Sequence, residues 1–439
     1  MDILIKTAQL LLSLSILVII HELGHFLFAK LFKTRVEKFY LFFDPWFSVF
    51  KFTKGETEYG VGWLPLGGYV KISGMIDESM DKEQMALPPQ PHEFRSKPAW
   101  QRLLIMIGGV LFNFILAIGI YAMILFAWGE KYLPVENAKY GIYADSLGRQ
   151  MGLQNGDIIL KLDETVPAEF HDIVPEILLN SHKEMTVLRN NEKIVLAIPE
   201  YVVAEVIKGN KLMHLGFPFI ADRFSEDSGA EKAGIKKGDR LLAINGQELP
   251  LFFQYAEVLG TYKSKEVLVK IDRNGEIKEI PVLITDEGKI GIFPVVDHNI
   301  LFDLHEKEYG FFASIPAGIS KGYTEIGNYL KQFKLIFNPE TEAYKSVGGF
   351  IAIGNIFPPF WDWHVFWSMT ALLSIMLGVV NILPIPALDG GHVLFLIYEL
   401  VAGRKPSDKF LEYAQIGGMV ILLSLLIFAN GNDIVKLFK

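Results

Sequence analysis

Residues 15–30 read SILVIIHELGHFLFAK, two histidines and a glutamate inside a run that is otherwise apolar. The apolar stretch extends from about Ile5 to Phe32, long enough to cross a bilayer as a helix. On a helix, His21 and His25 are spaced i, i+4, so both imidazoles lie on one face a single turn apart and can grip one Zn²⁺. Glu22, beside the first histidine, is positioned to take a proton from an attacking water. Ionisable groups at the bilayer centre cost about 2.5–3.5 kcal/mol each on insertion scales, so three of them at ligand spacing call for a reason. The competing reading is a pair of buried histidines satisfied by backbone carbonyls.

The rest of the chain sets limits on that site. Among 439 residues there is no cysteine, which excludes disulfides, cysteine nucleophiles and thiolate metal ligands. Any transition-metal site must therefore use histidine and carboxylate. The net charge of −8 gives no sign of nucleic acid as a partner. Half the residues are hydrophobic, which fits a membrane protein with sizeable aqueous parts. No small-residue cleavage site follows the first apolar stretch, so it reads as a retained span.

Four segments can span: 1–35, 102–129, 364–395 and 411–431, the last with the shortest uncharged core. Lys30, Lys33, Arg35 and Lys38 follow the first span, and Arg95, Lys97 and Arg102 precede the second. Arg404, Lys405 and Lys409 lie in the short loop 396–410 between the third and fourth. By the positive-inside rule both loops are cytoplasmic, and span parity puts both termini and the long region between spans two and three outside.

That long region contains a repeat. MGLQNGDIILKLDE begins at Met151 and AGIKKGDRLLAINGQ at Ala233, with Gly156-Asp157 and Gly238-Asp239 set 82 residues apart. Strand-like runs follow each, the second carrying an Asn-Gly hairpin signal. The pattern resembles a tandem pair of PDZ domains, over 130–205 and 206–290. The other reading is two unrelated β-rich domains sharing a turn. Residues 291–363 read as a linker with an amphipathic helix at 312–335, suited to the outer interface. On the cytoplasmic side, 36–74 alternates apolar and polar residues with Gly and Pro breaks, the pattern of β-hairpins, and 75–101 reads as loop. The hairpins' aromatic side suits a sheet covered by protein at membrane depth, against the alternative of a small soluble sheet.

A catalytic zinc usually has three protein ligands and one open position. Asp389, in NILPIPALDGGH, is the one acidic residue between Asp362 and Glu399. Pro384 and Pro386 break the helix before it, and Gly390-Gly391 allows close packing. Both inward-running spans would carry their polar groups toward the cytoplasmic side, which favours Asp389 as third ligand; the other reading is a helix N-cap after the break. His392 reads as packing or support for the site and not as a ligand. Two non-peptidase readings remain open on residues alone. One is a membrane-anchored scaffold with a structural metal, and the other a transporter with an ionic path.

With HELGH in the first span, NILPIPALDGG in the third and PDZ-like repeats between spans two and three, the chain resembles the site-2 protease family of intramembrane zinc metalloproteases. Within it, the likeness is to the bacterial four-span branch that regulates the sigma-E response. The resemblance covers nearly the whole chain. It implies a polytopic α-helical membrane protein with four transmembrane helices, a membrane-associated β-hairpin sheet and two extracytoplasmic PDZ-like domains. It also implies a bacterial inner-membrane location, His21, His25 and Asp389 as zinc ligands and Glu22 as the catalytic residue. Asn381 would hold the substrate near the scissile bond, and the edge Gly67, Gly68, Tyr69, Val70 and Lys71 would pair with an unwound substrate strand. Val110 stands where the family commonly has proline in Gly-Pro-x-x-Asn, while Asn113 is retained. Implied substrates are single-span membrane proteins such as anti-sigma factors and signal peptide remnants, already trimmed by an upstream site-1 protease.

Overall fold

The computed structural model describes residues 2–75 and 87–438, so 76–86 of the expected cytoplasmic loop lie outside it. The chain divides into two compact units. The first holds residues 1–129, 308–334 and 344–439. Among the described residues, four helices are long and apolar enough to cross a membrane: α1 (Asp2–Leu31), α2 (Ala99–Trp128), α5 (Trp363–Ile382) and α7 (Asp408–Leu437).

The α1 and α2 backbones nearly touch. A Cβ on Gly24 would lie 2.2 Å from the Gly108 carbonyl oxygen, so neither position has room for a side chain. Small residues at such crossings let helices approach where water supplies no hydrophobic drive. The helix α3 (Phe311–Ile336) uses the same device. Its Gly318 and Gly322 face Ala122 and Ile118, so the amphipathic helix packs along α2 through its small residues.

The third span stops at Ile382. The chain then runs through Pro384 and Pro386 before α6 (Asp389–Ala402) begins. The missing proline N–H groups and the ring clash account for the break. Arg102, near the start of α2, pairs with Glu399 on α6 at 2.5 Å, a shielded ion pair that fixes this second half against α2.

The segment 36–72 forms two long antiparallel strands, β1 (Val36–Lys54) and β2 (Thr57–Ile72). Both bend, and their register gives four adjacent runs. Residues 38–41 pair with 68–71 on one side and 58–61 on the other, and 50–54 pair beyond that. Phe42, Trp46 and Gly67 have positive φ at the bends. The run Gly68–Lys71 is consequently an edge, hydrogen-bonded on one side to β1.

The second unit comprises 130–307 and 335–343, and the repeat is visible in it. Strands β3 (Ile158–Leu162), β4 (Glu184–Arg189) and β5 (Glu192–Ala197) form one antiparallel sheet in that order. The equivalent β6 (Arg240–Ile244), β8 (Glu266–Arg273) and β9 (Glu276–Leu283), with the short β7 (Gln247–Glu248) at the edge, form the other. Val267, Val269 and Ile271 alternate with less buried residues along β8, while Met185, Thr186 and Val187 are consecutive buried residues of β4, and the two sheets build separate cores. The Asn-Gly signal is a β8–β9 turn with Asn274 and Gly275 both at positive φ, as a type I′ turn requires.

The recurrent Gly-Asp has the same role in each half. Asp157 is buried, accepts two bonds from Arg189 at 2.8 Å and caps the Gln154 amide. Asp239 does the same with Arg273, at 2.8 and 2.6 Å, and with the Lys236 amide. Each arginine also donates to a glycine carbonyl, Gly152 or Gly234.

Candidate active site

One turn of α1 carries His21, Glu22 and His25 into a cavity of about 810 Å³, lined also by Gly67–Ile72, Asn381 and Asp389. The two imidazoles keep their place because α2 offers no side chain opposite them. A Cβ on Gly109 would sit 2.4 Å from His25 Nε2 and 2.9 Å from His21 Nε2. The edge run approaches α1 equally closely. A Cβ on Gly68 would meet Val18 at 2.5 Å and lie 3.6 Å from the Glu22 side chain.

Asp389 reaches the same point from the other half of the broken span. Ala387 has a left-handed φ of 89°, which a residue with a side chain rarely adopts. A Cβ on Gly390 would meet the Leu383 carbonyl at 2.2 Å and one on Gly391 the Pro386 backbone at 2.5 Å. The tight backbone turn brings Asp389 Oδ2 to 3.2 Å from His21 Nε2 and 3.3 Å from His25 Nε2. The two Nε2 atoms are 3.2 Å apart.

This triangle has the dimensions and chemistry of a metal site. Ligands about 2.0–2.1 Å from a tetrahedral zinc stand roughly 3.3 Å from one another. His25 Nδ1 lies 2.9 Å from the Ile105 carbonyl, which can only accept, so Nδ1 carries the proton and Nε2 presents a lone pair. Asp389 Oδ2 is buried without a hydrogen-bond partner among the described residues. Lone pairs converging in a buried place repel one another unless a cation lies between them. Among the described residues, this is the one cluster of histidine and acidic groups with metal-ligand spacing.

Asn381 lines the cavity, with its amide 3.5 Å from His21 Nε2. Asn113 does not reach the cavity. It is fully buried behind His21, 3.0 Å from Nδ1, and Ser374 on α5 donates to its backbone carbonyl. Val110 is buried at the expected proline position, one residue beyond Gly109. His392 lines the cavity without belonging to the ligand cluster. Sequence reasoning passed over Gly24, Gly108 and Gly109, although paired glycines in an otherwise bulky span are a readable sign of close approach. It also passed over Gln415 of α7, which lines the cavity.

Comparison with known proteins adds independent findings. A model of peptidase family M50 matches residues 9–425. A putative zinc metalloprotease of Vibrio cholerae is 28% identical over 467 aligned residues, covering 99% of this chain and all of the relative. A regulator of sigma E protease of Haemophilus influenzae is 27% identical over the full length of both chains. The metalloprotease MmpA of Caulobacter vibrioides is 28% identical over 98% of this chain and 96% of its own.

Proposed function

Because the chain belongs to peptidase family M50 and is a zinc metalloprotease, we propose that it hydrolyses peptide bonds within or near the transmembrane segments of single-span proteins, at a centre built from His21, His25, Asp389 and Glu22. The observation that carries this reading is the triangle of three ligand atoms with Glu22 on the same cavity wall. When bound, zinc supplies the Lewis acidity that peptide hydrolysis needs.

Glu22 is the general base, taking a proton from the attacking water and passing it to the leaving amine. Asn113 orients His21. With Nε2 as ligand, Nδ1 bears the proton, so the Asn113 carboxamide turns its oxygen toward the ring and accepts that proton's bond. The same turn gives a partner to Asn113 Oδ1, otherwise orphaned in the interior.

A transmembrane helix hides its carbonyls in its own hydrogen bonds, so a substrate must unwind. The run Gly68–Lys71 lines the cavity and pairs with β1 as the outermost of the four runs, which supports substrate capture by strand addition, with Asn381 holding the chain near the cut. Trp46 is 90% exposed and stacks on Trp63 at the far bend, an aromatic surface suited to lipid headgroups. The two repeat halves of the second unit act as PDZ-like domains outside the bacterial inner membrane. The peptidase makes the second cut, after an upstream protease has trimmed the ectodomain. Anti-sigma factors and signal peptide remnants are the proposed substrates; the Haemophilus relative's name, regulator of sigma E protease, is in keeping with the first.

The test compares the parent chain with Glu22→Gln on a model single-span substrate, with zinc measured on the same samples. The variant keeps zinc and loses cleavage. Cleavage at the parent rate by Glu22→Gln refutes the assignment, whereas a scaffold or transporter cleaves in neither form.

A further inference from the structure

The fourth span touches the catalytic cavity at one polar residue. Along α7, Gln415, Gly418 and Asp433 are the buried positions among the described residues, while Tyr413, Val420 and Ile427 are well exposed. Two of the three have structural reasons. Asp433 accepts bonds from the backbone amides of Gly349 and Ala352 at the start of α4 (Phe350–Asn355), at 2.9 and 3.0 Å. Gly418 packs so closely on the turn before Asp389 that a Cβ would overlap the Pro386 carbonyl.

Gln415 lies just under one turn before Gly418 and so is carried against the same wall. It is 5% exposed, lines the cavity with His21, Glu22 and Asp389, and has no hydrogen-bond partner among the described residues. Its carboxamide is not among the polar atoms sealed off without a partner, so it is reached from the cavity and is free to bond a polar group that enters there.

We propose that Gln415 is a substrate-binding residue that hydrogen-bonds a main-chain peptide group of the unwound substrate. The proposal rests on the peptidase reading above. An extended chain points its N–H and C=O groups alternately to its two sides. Pairing with the Gly68–Lys71 edge satisfies one side and leaves the other facing low-dielectric walls, where unpaired backbone groups are costly. A carboxamide offers both donors and an acceptor, the complement of a peptide unit, and reads no side chain. Gln415 therefore binds substrates of differing sequence, provided that they are extended at that point.

The test measures binding apart from turnover. In the full-length Glu22→Gln protein, loaded with zinc, the affinity for a fluorescently labelled single-span peptide is compared with and without Gln415→Met, a near-isosteric apolar change. Affinity falls about tenfold with zinc content unchanged, the weight of one shielded hydrogen bond. Substrates carrying a single backbone ester in place of an amide near the cut then locate the bond. One ester position costs the Gln415 protein affinity and costs the Met variant nothing further. Equal affinities with methionine, or ester penalties that simply add to the substitution at every position, overturn the proposal. A fall in zinc content also overturns it, since it makes Gln415 a support of the metal site. Failure of the peptidase reading shows separately, as undiminished cleavage by Glu22→Gln.

Discussion

Replacing Gly109 with alanine perturbs the site at its closest contact. The new Cβ would sit 2.4 Å from His25 Nε2 and 2.7 Å from His21 Cε1, about 1 Å inside ordinary van der Waals contact. Neither the helix backbone behind it nor the imidazoles can absorb this freely. His25 is held at Nδ1 by the Ile105 carbonyl, and moving α1 away from α2 would open the close packing where Gly24 meets Gly108. Zinc sites tolerate about 0.2 Å in ligand distance, so a displacement of this size weakens or loses a ligand. Misplacement by 1 Å costs roughly 100-fold in rate, or about 2.7 kcal/mol of transition-state stabilisation. Alanine is also the better helix former, so propensity works in the opposite direction. Gly119, on the same helix with nothing within 4 Å of its would-be Cβ, is the matched control. The assay pairs zinc content by mass spectrometry with cleavage of a single-span substrate in detergent. Gly109→Ala loses zinc and about 100-fold in activity, while Gly119→Ala matches the parent. Full zinc and full activity in Gly109→Ala would refute the placement of the two imidazoles against α2.

Asn113→Leu keeps the fold and lowers zinc affinity about 10- to 100-fold, as removal of a ligand's hydrogen-bond partner does; competition with a chelator reads it. An unchanged affinity would mean that His21 needs no orienting partner. In the second unit, burial pushes the Asp239 carboxyl up, but the paired bonds from Arg273 and the Lys236 amide outweigh it and hold the group below its ordinary value. A depressed folded pKa stabilises above the unfolded value of about 3.9 and is lost as pH falls through the folded one. The unfolding midpoint of that unit therefore declines below about pH 4. Asp239→Asn lowers the midpoint at neutral pH and flattens the decline, and a parallel pH profile in melts followed by near-ultraviolet circular dichroism would contradict this.

What the sequence determined by itself is what depends on neighbours along the chain. The i, i+4 histidines, the uncharged spans, the proline break before Asp389 and the Asn-Gly turn follow from backbone geometry and the cost of polar groups in lipid, which need no knowledge of distant contacts. The repeated Gly-Asp was legible as a period, but its purpose was not. Arg189 and Arg273 lie more than thirty residues downstream of Asp157 and Asp239, and the sheet brings each to its aspartate. The paired glycines of α2 were visible as letters, yet nothing local says that Gly108 meets Gly24 or that Gly109 faces imidazoles 84 and 88 residues earlier. The bends of β1 and β2 fold two strands into four runs and leave Gly68–Lys71 as an edge, which alternation cannot reveal. Gln415 reads as one more polar residue near the end of a lipid-facing helix. Only the contact of Gly418 with Pro386 turns it toward Asp389. Tertiary structure decided these matters because helix crossings and strand edges are set by shape complementarity between segments far apart in the chain.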